Sequence, residues 1–243
     1  MDENQSSRFK DAPWFPNEET YVIIGGSGGI GSWLCLALAR AGFLPIIYDY
    51  DTIEEHNMGG QLFPKRLIGK TKVEAIKEIV QDFADTEITA NNEKYTQESM
   101  SHHYVFSAFD NMEARKSMFT AWKAYVAEWK LANDSIMEQT NGEGETDKNE
   151  PVFIDGRLTM EQLQIFCVTP DKIAEYEEHL FDDSDVPDAP CTLKQTSHSA
   201  MMIASHMCAF FTNHIANNNI EERDRALPFM YEYFIPINYL NEA

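Results

Sequence analysis

Short apolar runs alternate with helical patterns along the first half of the chain. Residues 21–25 (YVIIG) precede a glycine cluster, residues 32–40 have helical spacing, and residues 43–51 (FLPIIYDYD) form a second apolar run. This order of strand, tight turn, helix and strand is typical of a βαβ unit. The same reasoning predicts a helix in residues 70–84, a third strand within residues 87–96 and a fourth strand that ends at Asp110. Strands that alternate with helices favour a Rossmann-like α/β fold, with a mostly parallel sheet flanked by helices.

The second half of the chain begins with a change of pattern. Residues 112–132 have the spacing of a long helix, whereas residues 133–150 are polar, contain glycine and carry few large apolar side chains. That composition predicts a mobile connection. Two apolar runs that predict strands follow, then helical patterns at residues 171–181 and 196–217, and an apolar tail at residues 226–240 that predicts one final strand. We therefore expect extra C-terminal strands and one domain over residues 1–243.

Composition narrows the classes of partner. The chain has 243 residues, and 19 Lys and Arg against 40 Asp and Glu give a formal charge of -21. Such a surface repels phosphate backbones and anionic lipids, so neither a nucleic acid nor a membrane is an expected partner. The amino terminus lacks a signal-peptide pattern, which favours a cytoplasmic location. The four cysteines are widely spaced without a CxxC pair, so we expect reduced thiols and no zinc site.

A glycine motif suggests a nucleotide site. Gly26-x-Gly28-x-x-Gly31 lies between a predicted strand and a predicted helix. In the dinucleotide fingerprint one glycine turns the chain, one lets backbone N–H groups approach phosphate, and one packs the helix on the strand. Asp49 ends the second strand about 20 residues further on, where a carboxylate can accept hydrogen bonds from ribose. The alternative is that the glycines only form a close crossover.

Two other features can be interpreted in more than one way. Lys70 and Lys72 begin a helix, where cations are unfavourable unless an anion lies nearby, although an ordinary solvated helix start is equally compatible. Asp110 and Asn111 follow an apolar run, at the carboxyl end of a predicted strand. An aspartate there can hold Mg²⁺, whereas capping of the next helix is the simpler role.

Four stretches in order resemble one family. GGSGGIGS, DYDTIEEHNMGGQLF, GKTK and AFDNMEAR occur between residues 22 and 115. They are similar to the pattern GxGGxGS, DxDxVExSNxxRQ, GxxK and DxxDN of the ThiF/MoeB superfamily, the ubiquitin-activating-enzyme-like adenylyltransferases. The resemblance implies ATP and Mg²⁺ as cofactors and a homodimer. It also implies that the C-terminal carboxylate of a small ubiquitin-like or sulfur-carrier protein, or of a peptide, attacks the α-phosphorus of ATP.

The resemblance also implies roles for individual residues. Lys72 would neutralise the α-phosphate and Asp110 would hold Mg²⁺. Cys191, in a loop with His198 nearby in sequence, would be a candidate nucleophile, although an unreactive loop cysteine is an equal alternative. The implied nucleotide-binding residues are Gly26, Gly28, Gly29, Gly31, Asp49, Asn57, Gln61, Lys72 and Asn111.

One position departs from the family pattern. The family arginine of NxxRQ falls on Gly60, so the loop lacks that cation. Lys65, Arg66 or Arg8 of a partner subunit would have to replace it. Two alternatives therefore stay open, namely a degenerate relative that binds without turnover and an NAD-dependent oxidoreductase. The second alternative leaves the predicted lysine and aspartate without a role.

Overall fold

One eight-stranded sheet organises the chain in a computed structural model that describes residues 9–140, 144, 146–185, 196–220 and 224–243. The strands are β1 (Tyr21–Gly25), β2 (Leu44–Tyr48), β3 (Thr89–Asn91), β4 (Tyr104–Ser107), β5 (Val152–Thr159), β6 (Gln162–Val168), β7 (Met230–Phe234) and β8 (Tyr239–Glu242). Their order is β3-β2-β1-β4-β5-β6-β7-β8. The first five strands pair in parallel and the last three add antiparallel pairs. The predicted fold class is confirmed.

Helices cover both faces of the sheet. They are α1 (Gly29–Arg40), α2 (Lys72–Ala84), α3 (Met112–Gln139), α4 (Ile173–Glu177) and α5 (Ser197–Asn219). Because side chains alternate along a strand, Val22 and Ile24 of β1 pack with α1, α2 and α5. Ile23 packs on the other face with Trp122 of α3 and Tyr176 of α4. Burial on both faces explains why these strands are continuous apolar runs.

The carboxyl ends of β1, β2 and β4 lie in one row with Asp155 in the middle of β5. The register pairs Gly25 with Tyr48 on one side and with Ser107 on the other, and it pairs Ser107 with Asp155. The chain leaves β1 toward β2 on one side, while β4 lies on the other side of β1. A crevice forms at such a switch point, where open α/β sheets bind ligands.

Three boundaries differ from the expectations. Helix α3 continues to Gln139, so the first seven residues of the predicted mobile connection are helical. Five of these seven residues are polar and none is glycine or proline, and they extend the helix into solvent. Helix α4 spans only five residues, and the tail forms two strands because Asn238 turns the chain in a left-handed conformation. No helix within the described ranges combines the length and the apolar character that a membrane span requires.

Candidate nucleotide site

A cavity of about 590 Å³ opens at the carboxyl edge of the sheet, between the loops that follow β1, β2, β3 and β4 and the last three residues of β5. Its size is within the range of small-molecule sites. It is lined by eight of the residues predicted from sequence, which are Gly26, Gly28, Gly29, Asp49, Gln61, Lys72, Asp110 and Asn111. The structure therefore brings together residues from all four sequence motifs.

The three motif glycines have different environments. Gly26 has a φ of +86°, and a Cβ there would lie 2.9 Å from the Ala108 carbonyl oxygen. A Cβ on Gly31 would lie 1.8 Å from the Gly26 carbonyl oxygen, so Gly31 allows close packing and does not line the cavity. A Cβ on Gly28 would meet only the Gln61 amide nitrogen, at 4.0 Å. Gly28 thus leaves open space in which a ligand can approach the backbone.

Asp49 connects the loops that follow β1 and β2. Its Oδ2 accepts hydrogen bonds from the Ser27 backbone N–H at 2.7 Å and from the Ser27 hydroxyl at 2.9 Å. Its Oδ1 accepts one from the Asp51 backbone N–H at 2.8 Å. Asp49 therefore has an observed structural role at the cavity wall. Its contact with ribose stays a prediction.

The two lysines before and within α2 have different partners. The Lys72 ammonium lies 2.6 Å from Asp51 and 4.0 Å from Asp49, and its side chain is 8% exposed. A backbone hydrogen bond from Lys72 to the Asp51 carbonyl, at 2.9 Å, fixes this end of the helix. The Lys70 ammonium pairs instead with Glu78 at 2.8 Å, outside the cavity. Lys72 is therefore the cavity cation and Lys70 is a surface residue.

Asn111 caps the next helix, whereas Asp110 faces the cavity. Asn111 caps α3, because its side-chain oxygen accepts a hydrogen bond from the Ala114 backbone N–H at 2.8 Å. Its amide donates to Asp110 at 3.1 Å, and the exposed Asp110 carboxylate faces the cavity. The described residues contain no group of three or more His, Cys, Asp or Glu arranged to bind a metal. One carboxylate together with substrate phosphates and water is nevertheless a usual Mg²⁺ environment, so Asp110 fits the implied ion.

The loop of residues 57–61 contains one lining residue and one supporting residue. The Gln61 side-chain oxygen is buried without a hydrogen-bond partner among the described residues, as an amide that faces a ligand would be. Asn57 does not line the cavity, contrary to its predicted role. Its side-chain oxygen accepts a hydrogen bond from the Glu54 backbone N–H at 2.8 Å, and its carbonyl accepts one from the Gln61 N–H at 3.1 Å. Asn57 therefore holds Gln61 in place.

Two of the three expected substitutes for the family arginine, Lys65 and Arg66, are not in the cavity. Gly60 is buried, and its carbonyl accepts a hydrogen bond from the Trp33 indole at 3.1 Å. Arg66 pairs with Glu78 at 3.2 Å, and neither Arg66 nor Lys65 lines the cavity. The proposed alternative Arg8 lies outside the described residues, as does the candidate nucleophile Cys191.

A buried ionic cluster on β5 was missed by the sequence reasoning. Arg115 of α3 and Arg157 of β5 both line the cavity. Arg115 donates one hydrogen bond to Asp155, and Arg157 donates to the other oxygen of Asp155 at 2.7 Å. The Tyr176 hydroxyl donates to Asp155 at 2.9 Å. We call these four residues the Asp155 cluster.

Asp155 is ionised within this cluster. Burial raises the pKa of its carboxyl group, but Arg115 and Arg157 outweigh burial and hold that pKa below its ordinary value. The same contact with Asp155 raises the pKa of Arg157 despite burial, so both partners are charged. The sequence contains a signal for this cluster, since FIDGRL places charged residues directly after an apolar run, as AFDN does.

Comparison with known proteins assigns the family. Residues 17–236 match the ThiF family. The chain belongs to the ThiF family. The match extends well beyond the motifs of residues 22–115 and includes β5, β6 and α5.

Individual ThiF-like proteins match smaller parts of the chain. The NEDD8-activating enzyme E1 catalytic subunit of Caenorhabditis elegans is 30% identical over 128 residues, 46% of this chain and 30% of that protein. The tRNA threonylcarbamoyladenosine dehydratase 1 of Saccharomyces cerevisiae is 32% identical over 111 residues, 40% of this chain and 26% of that protein. The chain thus spans less than a third of the length of these two curated relatives.

Solved structures share the fold over almost the whole chain. PaaA superposes with a TM-score of 0.65 at 16% identity, over 92% of this chain and 63% of PaaA. Escherichia coli MccB, solved with ATP, superposes with a TM-score of 0.62 at 15% identity, over 99% of this chain and 71% of MccB. At such identities the likeness shows the ThiF fold alone.

Proposed function

We propose that the protein is an adenylyltransferase that uses Mg-ATP to activate a carboxylate on a small protein or peptide. The observation that carries this proposal is that Lys72, Asp110 and the Gly26–Gly28 turn line one cavity. Membership of the ThiF family supports it. An NAD-dependent oxidoreductase would leave both Lys72 and Asp110 without a role.

The cavity suits a nucleotide that arrives with a cation. Its lining contains four cationic side chains but six carboxylates, so a bare polyphosphate would meet a net negative wall. Asp110 has the position and the ligand type for Mg²⁺, which neutralises phosphate charge when bound. We therefore expect that ATP binds strongly only in the presence of Mg²⁺.

The proposed reaction has one covalent step. An oxygen of the acceptor carboxylate forms a bond to the α-phosphorus of ATP while the bond from that phosphorus to the bridging oxygen breaks. The products are an acyl-adenylate and pyrophosphate. Negative charge accumulates on the phosphate oxygens in the transition state, and Lys72 stabilises it, while the cavity residues position the two reactants.

A protein or peptide is the acceptor that we favour over a nucleic acid. Relatives are named as activating enzymes for ubiquitin-like modifiers, and MccB has been solved with N-formylated MccA. Another relative is named for a modified tRNA base. The formal charge of -21 repels a tRNA backbone, which favours the protein or peptide class.

Calorimetry and a pyrophosphate assay test the proposal together. Titration of the purified protein should show binding of Mg-ATP and no comparable binding of NAD. ATP–pyrophosphate exchange should then depend on an acceptor, such as the product of a neighbouring short reading frame that ends in glycine. Binding of NAD in preference to Mg-ATP would contradict the proposal.

A second candidate function is nucleotide or carrier binding without turnover, which Gly60 favours because the loop lacks the family cation. The two candidates differ in one measurement. Tight binding of Mg-ATP with pyrophosphate exchange at background for every acceptor tested would assign the protein to this binding class.

Transfer of the activated acyl group to Cys191 is a further prediction. Burial raises the pKa of Cys35 and Cys167, and raises that of Cys208 to about 12, so these thiols should react slowly at neutral pH. A rapidly labelled thiol that disappears in Cys191→Ser would identify Cys191 as reactive. If Cys191 reacts no faster than an unfolded cysteine, the nucleophile role is wrong.

A further inference from the structure

The cations of the cavity differ in how completely they are neutralised. Lys72 and Lys94 each form an ion pair with a carboxylate, at 2.6 Å and 3.1 Å. Arg115 and Arg157 share the single carboxylate of Asp155. The Asp155 cluster therefore carries one positive charge more than its own carboxylate neutralises.

This excess charge lies in a buried and fixed arrangement. Asp155 is fully buried and the Arg157 side chain is 13% exposed. The Arg157 guanidinium lies 4.6 Å from the Phe166 ring centroid and donates to the His179 carbonyl at 3.1 Å. A net charge in such surroundings is unfavourable unless an anion lies nearby, so the cluster favours an anionic ligand on its open side.

Arg157 retains donors for such a ligand. A guanidinium has five N–H donors. Within the described residues, Arg157 uses its Nε for Asp155 and one terminal nitrogen each for His179 and Tyr176, at 2.7, 3.1 and 3.3 Å. One N–H on each terminal nitrogen is left, and arginine binds phosphate oxygens with such paired donors.

Contacts connect the cluster to the glycine turn. Arg115 donates a hydrogen bond to the Phe109 carbonyl. The Phe109 ring lies against the turn, since a Cβ on Gly26 would be 3.3 Å from a ring carbon. Phe109 thus lies between Arg115 of the cluster and the glycine turn, and β4 lies between β1 and β5 in the sheet.

We propose that Arg157, held by Asp155, Tyr176 and the His179 carbonyl, binds the phosphate groups of the nucleotide and replaces the cation that the family pattern has at Gly60. This inference rests on the proposed function, because it assigns a phosphate ligand to the same cavity. Arg157 comes from β5, in a part of the chain remote from the loop that contains Gly60.

The test compares Arg157→Gln with the wild-type protein, using Mg-ATP, Mg-tripolyphosphate and adenosine as calorimetric probes. Asp155 keeps Arg115 as a partner in the variant, so we expect it to fold. The loss of hydrogen bonds to a charged group should raise the Kd for Mg-ATP and tripolyphosphate about 10- to 100-fold and leave that for adenosine unchanged. Arg66→Gln removes the same charge from the surface and should change none of the three.

A measurement on the wild-type protein covers the case in which the variant does not fold. The ¹⁵N resonance of the Arg157 guanidinium, assigned with Arg157→Lys, should shift when Mg-tripolyphosphate saturates the protein. An unmoved resonance, unchanged affinities in Arg157→Gln, or a wild-type protein that does not bind tripolyphosphate would each overturn the inference.

The outcomes separate this inference from the proposed function. If Arg157→Gln loses affinity for tripolyphosphate but the wild-type protein never exchanges pyrophosphate, the phosphate site stands and adenylation is wrong. If the wild-type protein adenylates an acceptor and Arg157→Gln binds and turns over normally, adenylation stands and the phosphate-binding role of Arg157 is wrong.

Discussion

Lys72 and Arg157 line the same cavity, but the carboxylates that hold them differ in exposure. Asp51, the partner of Lys72, is 51% exposed, whereas Asp155, the partner of Arg157, is fully buried. A partly exposed ion pair contributes about 0–1 kcal/mol, so a ligand can replace Asp51 at little cost. Removal of one member of a buried ion pair costs about 3–5 kcal/mol, which keeps Arg157 in place.

This difference indicates two ways of presenting positive charge to a phosphate. A fixed arginine is already oriented when the substrate arrives, and such preorganised donors need no reorganisation during the reaction. On the proposed function, Lys72 would exchange partners instead, and its charge would become available when the nucleotide displaces Asp51. The cavity therefore combines a permanent cation on β5 with an exchangeable cation on α2.

Asp155→Asn should have the largest effect on stability, and it tests whether Asp155 holds Arg157 in place. The substitution leaves two buried guanidiniums without a counter-ion, so the free energy of unfolding should fall by about 3–5 kcal/mol. Chemical denaturation monitored by circular dichroism measures it. A loss below about 1 kcal/mol would mean that the arginines do not depend on Asp155.

Lys72→Met tests the exchangeable half of the comparison. Removal of the cation should lower the rate of pyrophosphate release by about 10²- to 10³-fold, since it would remove one electrostatic contact to the transition state. Lys70→Met is the matched control because that lysine pairs with Glu78 outside the cavity. Equal losses in the two variants would contradict the assignment of Lys72.

The exchangeable site was predictable from sequence, whereas the fixed one was missed. Lys72 and Asp110 were found because they follow motif spacing and the rule that ligands bind at the carboxyl ends of strands. The same rule applies to Asp155 and Arg157 after the apolar run of β5. Their pairing with Arg115 could not be predicted, because it depends on how α3 packs across β4 and β5.

Other details also depended on three-dimensional contacts. The sequence offers two aspartates near Lys72, and only the bridge between Thr52 and Thr71 places Asp51 beside it. Asn57 fits a motif position, but local hydrogen bonds direct its side chain to Glu54 and away from the cavity. Motif spacing predicts where a loop lies, whereas the direction of each side chain is set by its hydrogen bonds.

The free energy of unfolding, measured as a function of pH below about 4, should distinguish the buried Asp155 from exposed carboxylates. Arg115 and Arg157 hold the pKa of Asp155 below its ordinary value of 3.8, so its contribution to stability is complete above that value. As the pH falls from about 4 toward the lowered pKa, the unfolded state binds the extra proton. Wild-type stability should then fall more steeply than that of Asp155→Asn, by up to about 1.4 kcal/mol per pH unit. Parallel curves for the two proteins would contradict an ionised Asp155.

Asp51→Asn is the same chemical change at the exchangeable site and should have the smallest effect. Because the Asp51 side chain is half exposed, the free energy of unfolding should change by less than about 1 kcal/mol. Lys72 would lose its competing partner, so the Kd for Mg-ATP should stay constant or fall by up to about fivefold. Asp82→Asn, a similarly exposed carboxylate outside the cavity, is the control for a general change in charge. Weaker binding of Mg-ATP by Asp51→Asn alone would mean that Asp51 contacts the ligand or its metal directly, and Lys72 would no longer count as an exchangeable cation.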